Sequence, residues 1–85
     1  MRYSLEFVTS ALRELRALDG QIQRRIADKI TALCDNPFPP STKRLQVQPD
    51  HFRIRVGDYR VVYRVDGPRV VVVIVRIGHR REVYR

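Results

Sequence analysis

The chain has 85 residues, 44% of them hydrophobic, a single cysteine and a formal net charge of +8. A chain of this length supports one domain with one modest core, and its apolar content lies above that of chains that stay disordered. One cysteine excludes an intrachain disulfide, and with no charged-then-apolar leader and no apolar run near ~18 residues the expectation is a cytoplasmic protein with no membrane role.

The charge is unevenly placed. Residues 1–42 carry six basic and five acidic side chains and residues 43–85 carry eleven and four, giving +1 and +7. The field of the C-terminal half argues for a polyanionic partner such as RNA, DNA or an acidic protein segment.

The first stretch, "RYSLEF", alternates Tyr3, Leu5 and Phe7 with Arg2, Ser4 and Glu6, the period of a half-buried strand. Thr9 or Ser10 is then placed to cap a helix with Ala11, Leu12, Leu15 and Leu18 at helical spacing, and Gly20 to end it in a left-handed conformation. Ile22, Ile26, Ile30 and Leu33 form the apolar stripe of a second helix, which Asn36 before Pro37 stops. Arg24, Arg25 and Lys29 read as its solvated face, and Cys34 as a small core side chain.

Residues 36–49, "NPFPPSTKRLQVQP", hold four of the five prolines and no sustained periodicity, which predicts a long surface loop of the kind that often carries function. Lys43 and Arg44 within it are candidate substrate contacts. Three β-branched runs follow at 52–56, 59–65 and 69–77, separated by the hairpin signals Gly57-Asp58 and Asp66-Gly67-Pro68. The expected fold is therefore α+β in the order βααβββ, a single domain over 1–85. Its helical hairpin packs on one face of a twisted, mainly antiparallel sheet of about four strands.

A two-residue turn at Gly57-Asp58 places Val56 opposite Tyr59, Ile54 opposite Val61 and Phe52 opposite Tyr63 on the core face. The other face then gathers Arg53, Arg55, Arg60, Val62 and Arg64, with Arg55 directly across from Arg60. A three-residue loop in the second hairpin places Tyr59 opposite Val75 and Arg60 opposite Ile74. That register puts Val71, Val73 and Val75 in the core, and Val70, Val72, Ile74 and Arg76 on the arginine face. Like charges directly opposite in a sheet cost roughly 0.2–1 kcal/mol per pair, so this face either meets an external polyanion or is a solvated surface with arginine stems lying over valines. In this register "GHRREVYR" emerges beside Arg60 and Arg55, bringing His79, Arg80, Arg81 and Tyr84 to the rim of the same surface.

The stretches "GDYRVVY" and "IGHRREVYR" resemble the C-terminal half of the RelE/ParE toxin superfamily, specifically its RelE branch, and the order of elements matches that family along essentially the whole chain. The resemblance implies a RelE-like, microbial-RNase-like fold and a ribosome-dependent mRNA endonuclease, the toxin of a type II toxin-antitoxin pair. Its implied partners are a small, partly acidic antitoxin that wraps the toxin, the ribosome and mRNA, with DNA reached only through the antitoxin. It also implies the catalytic residues Arg53, Arg55, Arg60, Arg80 and Tyr84; His79 and Arg81 are candidate substrate contacts from their place in the tail at the rim of the arginine face. Positions 53 and 55 are often lysine in well-known members, and position 79 commonly so. The alternatives on the same scaffold are a ParE-like gyrase inhibitor and a catalytically inactive RNA-binding relative.

RNA cleavage needs no metal when the 2′-hydroxyl attacks the adjacent phosphate, and one cysteine with two histidines shows no ligand spacing, so neither metal nor cofactor is expected. Arg53, Arg55 and Arg60 suit charge stabilisation of the phosphorane, because guanidinium forks match phosphate oxygens bidentately. Tyr84 is the candidate base or stacking group and His79, as the residue type best suited to shuttle protons, the second candidate for the proton. Arg80 as acid for the leaving 5′-oxygen rests on the resemblance.

Overall fold

The computed structural model describes residues 2–79. Five strands form one sheet in the order β1-β5-β4-β3-β2: β1 (Ser4–Phe7), β2 (Lys43–Arg44), β3 (His51–Val56), β4 (Tyr59–Asp66) and β5 (Val71–His79). All neighbours are antiparallel except β1 and β5, which run parallel. Helices α1 (Thr9–Arg16) and α2 (Gly20–Asp35) pack on one face. No helix among the described residues is long and apolar enough to cross a membrane.

The helical stripes behave as their spacing predicts. Ala11 and Leu15 of α1 and Ile26, Ile30 and Leu33 of α2 pack against Ile54, Val56, Val61, Tyr63, Val72, Ile74 and Ile77, forming one contiguous core. The helix ends differ from expectation. Thr9 is already helical, because the carbonyl of Val8 accepts the Leu12 N–H at 3.1 Å and no side chain caps the start. Gly20 is the first residue of α2 rather than a left-handed terminator, and the Gln23 N–H bonds the Asp19 carbonyl at 2.8 Å. Asn36 does end α2, its Oδ1 accepting from the Phe38 N–H at 3.1 Å.

The loop after α2 is fastened to the sheet from below. Tyr63, fully buried, donates its hydroxyl to the Pro37 carbonyl at 2.7 Å and lies 2.6 Å from Thr42 Oγ1. Phe38 and Tyr63 both contact Phe52, at centroid distances of 5.1 and 6.0 Å. Anchored there, the chain forms the two-residue strand β2 against Phe52 and Arg53, an element too short to leave a periodic signal in sequence.

The first hairpin has the expected register, with Gly57 at φ 59° in its turn. The second does not. Its loop holds four residues, 67–70, because Asp66 Oδ1 accepts from the Arg69 N–H at 3.1 Å and the Gly67 carbonyl from the Val70 N–H at 3.1 Å. Val70 takes a left-handed φ of 56°. Asp66 therefore pairs with Val71, and the shift by an odd number of residues exchanges the two faces of β5. Val72 and Ile74 enter the core, while Val71 and Val73 go to the arginine side, the reverse of the expectation.

A bulge then restores parity. Tyr63 pairs with Ile74 but Val62 with Arg76, leaving Val75 as the extra residue. Arg76 thus reaches the basic face and Ile77 the core, and Arg60 faces Gly78 rather than Ile74.

Candidate nucleic-acid interface

Strand pairing sets the basic face. One row crosses four strands as Lys43, Arg53, Val62 and Arg76, so three cations surround one buried valine. The next row is Arg55, Arg60 and Gly78. Over these rows lies a cleft of about 730 Å³. Lys43, Arg44, Arg53, Arg60 and Arg76 line it, Val62 and Val75 contribute apolar surface, and the 45–48 loop supplies the rest. Leu45 N–H to the His51 carbonyl and His51 N–H to the Gln48 carbonyl, both 2.9 Å, hold that loop to the start of β3.

Arg60 is the most constrained of these cations. Only 5% of it is exposed, although arginine is almost never fully buried. Its strand neighbours on the same face are Arg55, itself exposed, and Gly78, which offers no side chain. Arg44, paired with Phe52 at the β2 edge, borders the cleft but carries its Cζ 5.4 Å from the centre of that ring, a cation–π contact on the core-side face of the sheet.

No carboxylate lines the cleft among the described residues. Arg69 is bound to Glu6 at 2.6 Å and to Asp66 at 3.6 Å, and Arg2 to Asp35 at 3.3 Å, so acidic partners are present in the fold but placed elsewhere. The Asp50 carboxyl is held below its ordinary value by the hydrogen bond from His51, 3.0 Å away. Among the described residues no three His, Cys, Asp or Glu side chains gather into a group able to hold a metal ion.

The expected site residues divide clearly. Arg53, Arg60, Lys43 and Arg44 meet in the cleft. Arg55 shares their face but borders a second hollow of about 210 Å³, between α2 and the β3 edge, with Lys29 and Asn36. His79 pairs with Tyr59 and meets its ring edge-on at 5.7 Å, which puts it on the helix side rather than at the rim of the arginine face. The cause is the longer second-hairpin loop together with the bulge at Val75, which between them carry β5 to Gly78 opposite Arg60 and His79 opposite Tyr59. Arg80, Arg81 and Tyr84 lie outside the described residues. Arg76 was missing from the expected set although alternation had placed it on the basic face, and Gln46 and Gln48 left no signal beyond their long loop.

The family described as "ParE toxin of type II toxin-antitoxin system, parDE" matches residues 5–84. The mRNA interferase toxin RelE of Escherichia coli K12 is 33% identical over 88 residues, covering 99% of this chain and 92% of that protein. Toxin RelG of Mycobacterium tuberculosis is 31% identical, covering 100% and 99%. The toxin chain in the crystal structure of the M. tuberculosis RelBE2 toxin-antitoxin complex superposes with a TM-score of 0.83 at 31% identity, over 93% of this chain and 99% of that one. The chain belongs to the RelE/ParE toxin superfamily, in its RelE-type branch.

Proposed function

We propose that this chain, as one domain over 1–85, cleaves messenger RNA on translating ribosomes in the cytoplasm and is neutralised by a cognate antitoxin. The observation that carries the reading is the cleft itself, in which cations from β2, β3, β4 and β5 surround one hollow that no described carboxylate lines. The interferase name of the RelE relatives and the solved RelBE complexes of relatives support the activity and the partner. The antitoxin is small and partly acidic, and DNA is reached only through it.

The reaction is attack of the 2′-hydroxyl on the adjacent phosphate, giving a cyclic phosphate and a free 5′-hydroxyl without a metal. Arg60, held rigidly by burial, and Arg53 bind the phosphate oxygens and stabilise charge developing on the phosphorane, with Arg55 beside them. Lys43, Arg44 and Arg81 bind flanking phosphates. Arg80 protonates the leaving oxygen and Tyr84 acts as base or stacks on a nucleobase. His79 is the second candidate for the proton, reached from the far side of β5. No strong acid–base pair lies among the described cleft residues, so orientation of the message by the ribosome supplies much of the rate.

Mapping cuts on a programmed ribosome with and without the protein tests the reading. Cleavage within the A-site codon, lost in Arg60→Ala, is the expected result. Growth arrest with intact messages and DNA-damage signalling would instead assign the chain to gyrase inhibition, the alternative that the ParE description of the matching family keeps in view.

A further inference from the structure

Glu14 lies on α1, outside the cleft, yet it touches the cleft's newest member. β1 ends at Phe7, opposite Ile74, so it offers no backbone partner to β5 beyond the bulge. There the Ile77 N–H donates to Glu14 Oε1 at 2.8 Å. The other carboxylate oxygen, Oε2, stands 3.9 Å from Arg76 Nε. Both side chains are only partly exposed, 46% for Arg76 and 35% for Glu14. The ion pairs of Arg2 and Arg69 involve no cleft residue, which sets Glu14 apart.

We propose that Glu14 is a positioning residue of the basic cleft, a fixed internal counter-anion for Arg76 that an incoming RNA phosphate has to displace. A carboxylate on an ordinary exposed pair swings out with its cation. This one is tied by a charge-assisted hydrogen bond to the backbone of the residue after Arg76, so it stays in place. Arg76 can then be drawn to a phosphate only by leaving Glu14. Binding at this position becomes an exchange of anions.

The inference rests on the reading of the cleft as an RNA site. The test is binding of the purified full chain to poly(U) across a salt series, for wild type, Glu14→Gln, Arg76→Gln, the double variant and Arg53→Gln. Glutamine retains an oxygen for the Ile77 N–H, and thermal unfolding reports whether the fold is kept. Glu14→Gln is expected to bind about two- to fivefold more tightly, the fold-change of a partly exposed ion pair. Its log–log salt slope should steepen by about 0.7, one additional phosphate contact on a single strand. In the Arg76→Gln background the same substitution should give no such gain.

Unchanged or weaker binding by folded Glu14→Gln overturns the proposal, as does an equal gain in the Arg76→Gln background. Should Glu14→Gln not fold, Arg76→Gln alone decides, a flattening of the slope by a full ~0.7 overturning it. If Arg53→Gln leaves RNA affinity unchanged, the cleft reading fails as a whole. If Arg53→Gln weakens binding and Glu14→Gln is silent, only the role of Glu14 is lost.

Discussion

Arg55 and Arg60 stand directly opposite each other on β3 and β4, one exposed and the other 5% exposed. Burying a guanidinium carries a desolvation cost that a site able to meet a phosphate gives reason to keep. Arg60→Met keeps the length of the stem without the charge, and is expected to abolish growth arrest while the protein still unfolds cooperatively in urea. A variant that fails to fold would assign Arg60 to the scaffold rather than to the site. Arg60→Lys, which keeps charge but loses the planar fork, should retain only part of the toxicity.

Exposed Arg55 offers the complementary measurement. Arg55→Glu turns a like-charge cross-strand pair into an opposite one, which should raise stability by roughly 0.2–1 kcal/mol. Toxicity should fall at the same time, since the substitution sets a carboxylate beside Arg60. A variant that is both more stable and fully toxic would remove Arg55 from phosphate binding.

Tyr63 joins the sheet to the 36–42 segment through Pro37 and Thr42. Tyr63→Phe leaves the Pro37 carbonyl without this donor and should cost about 1–3 kcal/mol in chemical denaturation. Burial also pushes the Tyr63 hydroxyl above its usual value of 10.0, the bond from Thr42 offsetting this in part. Because the folded state holds this proton more tightly, its contribution is complete below pH 10 and is lost as pH rises above it toward the folded value. Wild type should therefore lose stability above pH 10 more steeply than Tyr63→Phe.

The β4–β5 connection explains where sequence reasoning stopped. The alternation of "RYSLEF", the helical stripes and the Gly57-Asp58 turn each specify their elements through local spacing, and all three are legible before any coordinates. The second hairpin is decided by one side chain, Asp66, and by a β-branched residue at positive φ, neither of which a turn rule anticipates. An odd register shift exchanged Val71 and Val73 for Val72 and Ile74 in the core, and the bulge at Val75 then returned Arg76 to the expected face. The placement of Arg53 and Arg60 on the cleft-lining face is therefore legible, because they lie in the locally specified hairpin. The placement of His79 is not, because its position accumulates the offsets of the loop and the bulge before it. Asp66→Ala removes the carboxylate facing the Arg69 N–H and its head group, and should destabilise by about 1–2 kcal/mol with no direct effect on the cleft.

The charge distribution of the cleft predicts how RNA affinity depends on salt. Five cations line it, and each phosphate neutralised on a single strand contributes about 0.7 to the slope of log affinity against log salt. With Arg76 partly held by Glu14, the slope for poly(U) should be about −3 for wild type. Arg53→Gln should flatten it by about 0.7. Arg69→Gln removes the same formal charge from a residue already bound to Glu6 and Asp66 and absent from the cleft lining, so it should leave the slope near that of wild type. Equal flattening by both substitutions would mean that RNA responds to net charge alone, and the strand pairing that gathers Lys43, Arg53, Arg60 and Arg76 would then have no part in recognition.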